Sequence, residues 1–529
     1  MSVRTLALAA TATLAGFLTA CGPSGSNRGE CAGGDVDVTS DPSNCGSCGT
    51  VCAANFACLG GRCLEGECLP GTEQDCYDGL PSTINVGPCR GGTRTCDDSG
   101  HWSPCTGQVV PVGEDGAKCT DGIDNNCNSM VDEDVDADGD GLTTCGGDCC
   151  DSTECTRPSA VNHGAFDAPG NNFDDDCNGV ADDTLLLCDQ AIASNTQDPL
   201  DFARAIDLCQ TTTATDPRWG VISGALTLTD GTGVPDPEAH AVRPKFGSGL
   251  MPQGGVNLAI LSTGGAAAKG DTLPGYHEFV SYTHAGSPEV PFPADFLAAN
   301  AGNLPNAPGC PEPLGDTAND PVMLTLDIKV PTNAKSFKLS TNFYSAEFPE
   351  WTCSAFNDFF AVLLDSTYTG TPANPTDKNL AFYVPMGGTA KVPVGVNLGH
   401  GNTGLFTQCQ NGETGCSGSA GTITTCTGLN QLANTGFDDA EPGSCAANSI
   451  VGGATGWLVT SGNVVPGEII KLRIAVWDTS DHAFDSLAVI DGFQWSLEST
   501  EPGTVIFKTD PKLPALPTEA TVTSQSLAR

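Results

Sequence analysis

The sequence predicts a mainly β protein, a C-terminal jelly-roll-like β-sandwich preceded by a disulfide-rich, loop-dominated N-terminal region. Three observations carry this prediction. From about Trp219 onward, short apolar–polar alternations recur between Gly, Pro and Asn, with no long amphipathic helix among them. Twenty of the 27 cysteines lie between Cys31 and Cys209. Within that stretch, three loops place Asp or Asn at every second position. A chain of 529 residues is also long enough for more than one domain.

The elements follow in order. Arg4 supplies a short positive segment, and residues 6–18 are apolar and uncharged. That run is shorter than the roughly 20 residues a spanning helix needs, but it suits the core of a signal peptide. Leu18-Thr19-Ala20-Cys21 resembles the bacterial lipobox. The resemblance implies a signal peptide over residues 1–20 and a lipid on Cys21, so that the chain is exported and membrane-tethered. Residues 21–30 then form a flexible tether, with Gly and Ser over residues 22–26. No Asp follows Cys21, so the inner-membrane retention signal of enteric bacteria is missing and the outer membrane is expected.

Composition agrees with export. So many cysteines require an oxidising compartment. With Cys21 set aside for lipid, twenty remain in the N-terminal block and six between Cys310 and Cys445, so each block has an even number and can close on itself. The net charge of −42, with only 22 Lys and Arg, excludes nucleic acid as a partner. It favours divalent cations instead. Residues 31–113 read as a cysteine-rich stalk, with Trp102 as the aromatic anchor of residues 68–105. Within it, Asn44-Cys45-Gly46-Ser47-Cys48-Gly49 resembles a stalk motif of myxobacterial surface proteins. Cys45 and Cys48 have zinc-ligand spacing, but no second pair at matching distance and no His lies near, so disulfides are expected.

Residues 114–183 carry the most specific chemistry. Asp124, Asn126 and Asn128 share one spacing with Asp136, Asp138 and Asp140 and with Asp174, Asp176 and Asn178. Calcium takes six to eight hard oxygens, and alternate positions of a tight turn can supply them. Gly141 and Gly179 permit the turn at position 6, where the first loop has Ser129. Asp132 and Asp182 stand at position 9, and Asp148 is placed to close the middle shell. No loop has Glu at position 12, so none is an EF-hand. Asp121-Gly-Ile-Asp124-Asn125-Asn126-Cys127-Asn128 and Asn172-Phe-Asp174-Asp175-Asp176-Cys177-Asn178-Gly179 resemble the MopE-type metal-binding repeat, and the loops are similar to those of thrombospondin type 3 repeats. The MopE family's namesake is associated with copper. A copper site wants imidazole or thioether, and this block offers only His163 and Met130, so the expected cofactor is Ca2+.

Residues 184–218 read as a connector of two short helices, 185–193 and 199–209, bridged by Cys188 and Cys209. The sandwich is expected over residues 219–510. In residues 322–330, Val322, Leu324, Leu326, Ile328 and Val330 face one way. Residues 337–344 alternate similarly. Residues 359–364 are apolar on both faces and are expected to form a central strand. Strands at 391–397, 456–460, 469–477 and 487–495 follow, and the Pro- and Thr-rich tail at 511–529 is expected to be disordered.

Residues 343–358, from Phe343-Tyr-Ser-Ala-Glu347 to Phe356-Asn357-Asp358, resemble the hallmark of the choice-of-anchor L domain. Gly456-Trp457-Leu458, Ile474-Ala-Val-Trp477-Asp478 and Ile490-Asp491-Gly492-Phe493 fit its end. The resemblance implies surface display by one of several anchors, and it supplies no ligand. Glu347, Glu350, Asn357 and Asp358 can form an oxygen-rich metal or glycan site if the turn at Pro349 folds the chain back. Asp478, Asp481 and Asp485 pose the same question, and capping of strand ends is the structural alternative for both groups.

The expected function is therefore a non-enzymatic surface lipoprotein displaying a binding or adhesion domain, with an extracellular glycan or surface protein as partner. A hydrolase using Glu347 and Asp358 as acid and base on extracellular glycans is one alternative. A metal-sequestering surface protein is another. The seven His form no metal-ligand motif, and neither G-x-S-x-G nor H-E-x-x-H occurs.

Overall fold

The computed structural model describes residues 28–506 apart from short segments, the longest of them 152–156, 414–421 and 439–451. Cys21, the signal peptide, Asp140, Gly141, Cys445 and the tail at 511–529 lie outside the described residues. The chain divides between Glu133 and Asp134 into two compact units.

The first unit is built on cystines. Its regular structure, among the described residues, is three two-stranded hairpins, Arg28–Cys31 with Gly34–Asp37, Phe56–Leu59 with Arg62–Glu65, and Glu73–Cys76 with Gly92–Thr95, and two 3-10 turns, Pro81–Thr83 and Gly116–Thr120. Disulfides join Cys31 to Cys48, Cys45 to Cys58, Cys52 to Cys63, Cys68 to Cys96, Cys76 to Cys105 and Cys89 to Cys127. Its buried apolar side chains, among the described residues, are all cysteines: Cys45, Cys58, Cys68, Cys89, Cys96 and Cys127. A segment with so few large apolar residues cannot offset its chain entropy by burial alone, and the cross-links do so by restricting the unfolded chain. Cys45 and Cys48 are each committed to a different disulfide, so zinc-ligand spacing is not used for zinc.

The second unit is a sandwich of two antiparallel sheets. In chain order the strands are β1 (Gly220–Thr227), β2 (His240–Arg243), β3 (Leu258–Ser262), β4 (Glu289–Pro291), β5 (Thr317–Lys329), β6 (Ser336–Ser345), β7 (Phe359–Asp365), β8 (Gly453–Ala454), β9 (Leu458–Asn463), β10 (Ile469–Asp478), β11 (Ser486–Ser496) and β12 (Gly503–Ile506). One sheet has five strands in the order β4-β5-β10-β7, with β1 also on β5. The other has seven in the order β12-β9-β6-β11-β3-β2, with β8 also on β6. From β5 to β7 and from β9 to β11, consecutive strands alternate between sheets, as in a jelly roll.

Alternation along each strand makes the core. Val322, Leu324, Leu326 and Ile328 of β5, with Val330 just beyond it, face Phe337, Leu339 and Phe343 of β6 and Ala488 and Ile490 of β11. The opposite face of the first sheet is covered too. There Met323, Phe359, Ala361, Leu363 and Trp477 pack under Phe292 and Phe296. Phe296 belongs to a short helix, Ala294–Ala299.

Three expectations are corrected. β7 is apolar on both faces but is the last strand of its ladder. Irregular chain covers its free edge, with Phe360 N donating to Val394 O at 3.0 Å and Leu364 N to Lys378 O at 3.0 Å, so an end strand is as buried as a central one. Residues 391–397 give only a two-residue strand, Val392–Pro393, and then a 3-10 turn, Val396–Gly399. The helix expected over 185–193 is absent among its described residues. Asp189 there accepts the amides of Val256 and Asn257 at 2.6 and 2.7 Å, and Ala191 has φ 62°, which no α-helix tolerates. The second helix exists as Pro199–Ala205, capped by Asp198 and stopped before Asp207 at φ 71°. Cys188 and Cys209 do pair. Phe202, Ala205 and Ile206 enter the sandwich core, so this segment is part of the domain.

Asp295 fastens the covering helix to the sheet. Arg473 grips it with two bonds of 3.0 and 2.6 Å, and Lys378 adds one of 2.7 Å. The Arg473 bonds, aided by Lys378 and opposed by partial burial, hold the Asp295 carboxyl below its usual range. A carboxyl with a depressed folded-state pKa adds stability above its unfolded pKa, near 4, and loses it as pH falls through the folded value. Asp295→Asn is therefore expected to lower urea stability at pH 7 and to flatten its decline between about pH 4 and pH 2. Equal pH dependence in both proteins would contradict this assignment.

Candidate metal centres

The first and third aspartate loops share one geometry. Asp124 accepts the amides of Asn128 and Ser129 at 3.0 and 2.9 Å. Asp174 accepts those of Asn178 and Gly179 at 3.0 and 2.7 Å. Asn128 and Asn178 each accept the amide two residues on, both at 2.8 Å. These bonds wind the chain so that positions 1, 3 and 5 turn inward. Position 6 requires positive φ: Gly179 has φ 93° without penalty, whereas Ser129 takes φ 78° at a steric cost. The cysteine at position 4 anchors each loop, Cys127 to Cys89 and Cys177 to Cys149.

Position 9 has another task. Asp132 accepts the amide of Gly122, and Asp182 those of Asn171 and Asn172, so both brace the base of their loops. Position 10 supplies the inward carboxylate instead. Glu133 accepts Asn126 Nδ2 at 2.6 Å and also Asn128 Nδ2, while Asp183 accepts Asn178 Nδ2 at 2.7 Å. Comparing the two loops in the sequence reveals this shared acid, whereas a search for Glu at position 12 passes over it. Burial, and then the nearby carboxylates of Asp183, Asp174 and Asp167, push Asp176 up to about 6 despite the Asn178 amide. Such crowding of like charge is what a bound cation relieves.

In the middle loop, Asp136, Asp138 and Asp151 each bring an oxygen within 4.8 Å of the others. Asp148 is not in that group, since its carboxylate turns to accept the Cys150 amide at 2.7 Å. The Cys149-Cys150 turn carries Asp151 back to the loop. These groups are all oxygen donors, suited to a hard divalent cation. His163 and Met130 are exposed on turns and lend no soft ligand, so the donor set does not fit copper.

The third loop is docked on the sandwich. Asn333 holds the backbone of Phe166 from both sides, at 3.0 and 2.9 Å, and Thr332 Oγ1 donates to Asn162 at 2.6 Å. Arg157 reaches buried Asp175, the second residue of that loop, at 2.9 Å.

In the sandwich, residues 347–354 do fold back, with Trp351 N donating to Glu347 O at 2.9 Å. Glu347, Glu350, Asn357 and Asp358 are all buried, at 0–1 % exposure. Glu347 and Asp358 come together, and Asp478 joins them. Glu350 is not in that group. Asn357 is a brace: its Oδ1 accepts Asn397 N at 2.8 Å, and its backbone exchanges bonds with Thr479 Oγ1.

Residues 299–493 match the model of the Choice-of-anchor L domain, and residues 116–133 and 157–183 match that of the "Putative metal-binding motif" of the MopE type. Both families describe surface or anchoring segments, not catalytic domains. The two motif matches contain the first and third loops, while the middle loop falls between them. No curated protein and no solved structure matches the chain. No helix among the described residues is long and apolar enough to cross a membrane.

Removing divalent cations with EDTA is expected to lower the thermal midpoint of the wild-type protein. The drop should be smaller in an Asp124→Asn, Asp174→Asn variant, because a ligand stabilises only the state that binds it. An identical EDTA effect in both proteins would refute the loop assignment.

Proposed function

We propose that this protein is a non-enzymatic surface lipoprotein, tethered by a lipid on Cys21 and displaying its β-sandwich for binding or adhesion. The choice-of-anchor L match over residues 299–493 carries this reading. The lipobox residues supply the anchor, and the cystines agree with an oxidising, extracytoplasmic site. The metal of the loops is Ca2+, because their donors are carboxylate, amide and backbone oxygens, and calcium accepts large, irregular oxygen shells that Mg2+ does not. The displayed domain meets a glycan or surface protein, and nucleic acid remains unsuited to a net charge of −42.

The hydrolase alternative has little support from the geometry. Glu347 and Asp358 are at 1 % and 0 % exposure, so a polysaccharide has no approach to them.

Expressed in a lipoprotein-processing host, the wild type is expected to partition into detergent and to carry a lipid mass on Cys21. Cys21→Ala is expected to enter the aqueous phase. A Cys21→Ala protein still held at the cell surface would overturn the tether. A glycan array probed with the wild-type protein tests the binding role.

A further inference from the structure

The crossovers at one end of the sandwich gather carboxylates that no cationic side chain pairs with among the described residues. Glu347 follows β6 in the seven-stranded sheet, Asp358 immediately precedes β7 in the five-stranded sheet, and Asp478 ends β10 beside β7. Each contributes one oxygen to a group lying within 4.8 Å of one another, and all three residues are at 0–1 % exposure. None of the three pairs with Lys, Arg or His among the described residues. Neither oxygen of Asp358 closes a well-formed hydrogen bond, although Asp478, Ser486 and the Thr479 amide lie close to it, and Glu347 Oε2 and Asp478 Oδ1 are likewise unsatisfied.

A neutral group marks the same spot. The Ser486 hydroxyl, at the start of β11, is fully buried next to the Asp358 carboxylate, yet it makes no well-formed hydrogen bond there. A hydroxyl hidden from water beside a carboxylate, without a well-formed hydrogen bond, is a further oxygen available to a cation. Asp485, 2 % exposed, adds a fourth carboxylate nearby and leaves Oδ2 unpartnered.

We propose that Glu347, Asp358 and Asp478, with Ser486, hold a buried divalent cation, Ca2+ by its donor set, that pins the two sheets together. The site is separate from the aspartate loops and does not depend on them. Oxygens of one calcium shell lie no farther apart than roughly twice the 2.3–2.6 Å bond, and the three carboxylates meet that bound. The ion would tie crossovers that already touch, since Ala346 N donates to Asp485 O at 3.0 Å. A buried ion also exchanges slowly, because release requires the sandwich end to open.

The test uses the full mature chain and calcium itself. Asp124→Asn, Asp136→Asn and Asp174→Asn are combined to disable the loops. After prolonged EGTA dialysis, that folded protein is expected to retain one calcium per chain by elemental analysis and to release it on unfolding in urea. Adding Asp478→Asn is expected to remove that equivalent. A folded loop variant with no bound divalent ion would overturn the proposal and leave shared protons as the balance of the triad. An unchanged metal content on adding Asp478→Asn would overturn it equally. Should Asp478→Asn fail to fold, the loop variant's own content decides.

Discussion

Enclosing carboxylates side by side is the constraint on which the sandwich depends. An ion taken from water into a protein interior costs several kcal/mol unless something nearby compensates it. Glu347, Asp358 and Asp478 meet at the junction of both sheets, where strands cross from one layer to the other. Other acids of the chain have cations and amides beside them. Asp295 has Arg473 and Lys378, and Asp175 has Arg157 and the amides around it. The triad, by contrast, pairs with no Lys, Arg or His among the described residues.

The first unit and the sandwich solve the problem of stability by different physics. The sandwich removes a large apolar area from water between its sheets, and a second layer lies beneath the covering helix. The first unit has almost no such area and relies on interleaved disulfides. The aspartate loops draw on both devices. Each of the two matching loops is wound by its own side chains and fixed by the cysteine at its fourth position. The third also leans on the sandwich through Asn333 and Thr332.

What could be read from the sequence was whatever repeats locally. The alternation of residues 322–330 reported the inward face of β5 because a strand's period survives into the fold. Cys188 and Cys209 were legible as partners because a short segment separates them. Contacts made by distant chain were not. β7 looked central because its burial comes from irregular chain at 378–394, which carries no strand pattern. Residues 185–193 had helical composition, but Asp189 is drawn off by amides far along the chain. Glu347 and Asp358 sit within one motif and could be paired on paper. Asp478 joins them only because β10 runs beside β7, a fact of topology that no local window contains. The acids at Glu133 and Asp183 were readable by laying one loop on the other, and a template from another calcium motif concealed them.

The strand order has one further consequence. β10 lies in the middle of one sheet and β11 in the middle of the other, yet both come from residues 469–496, near the end of the domain. Neither sheet can become continuous while the ribosome is still making the earlier strands. The nascent domain therefore stays open until its last strands have been made. Loss of the last few dozen residues of the domain would take out its centre, not trim its edge.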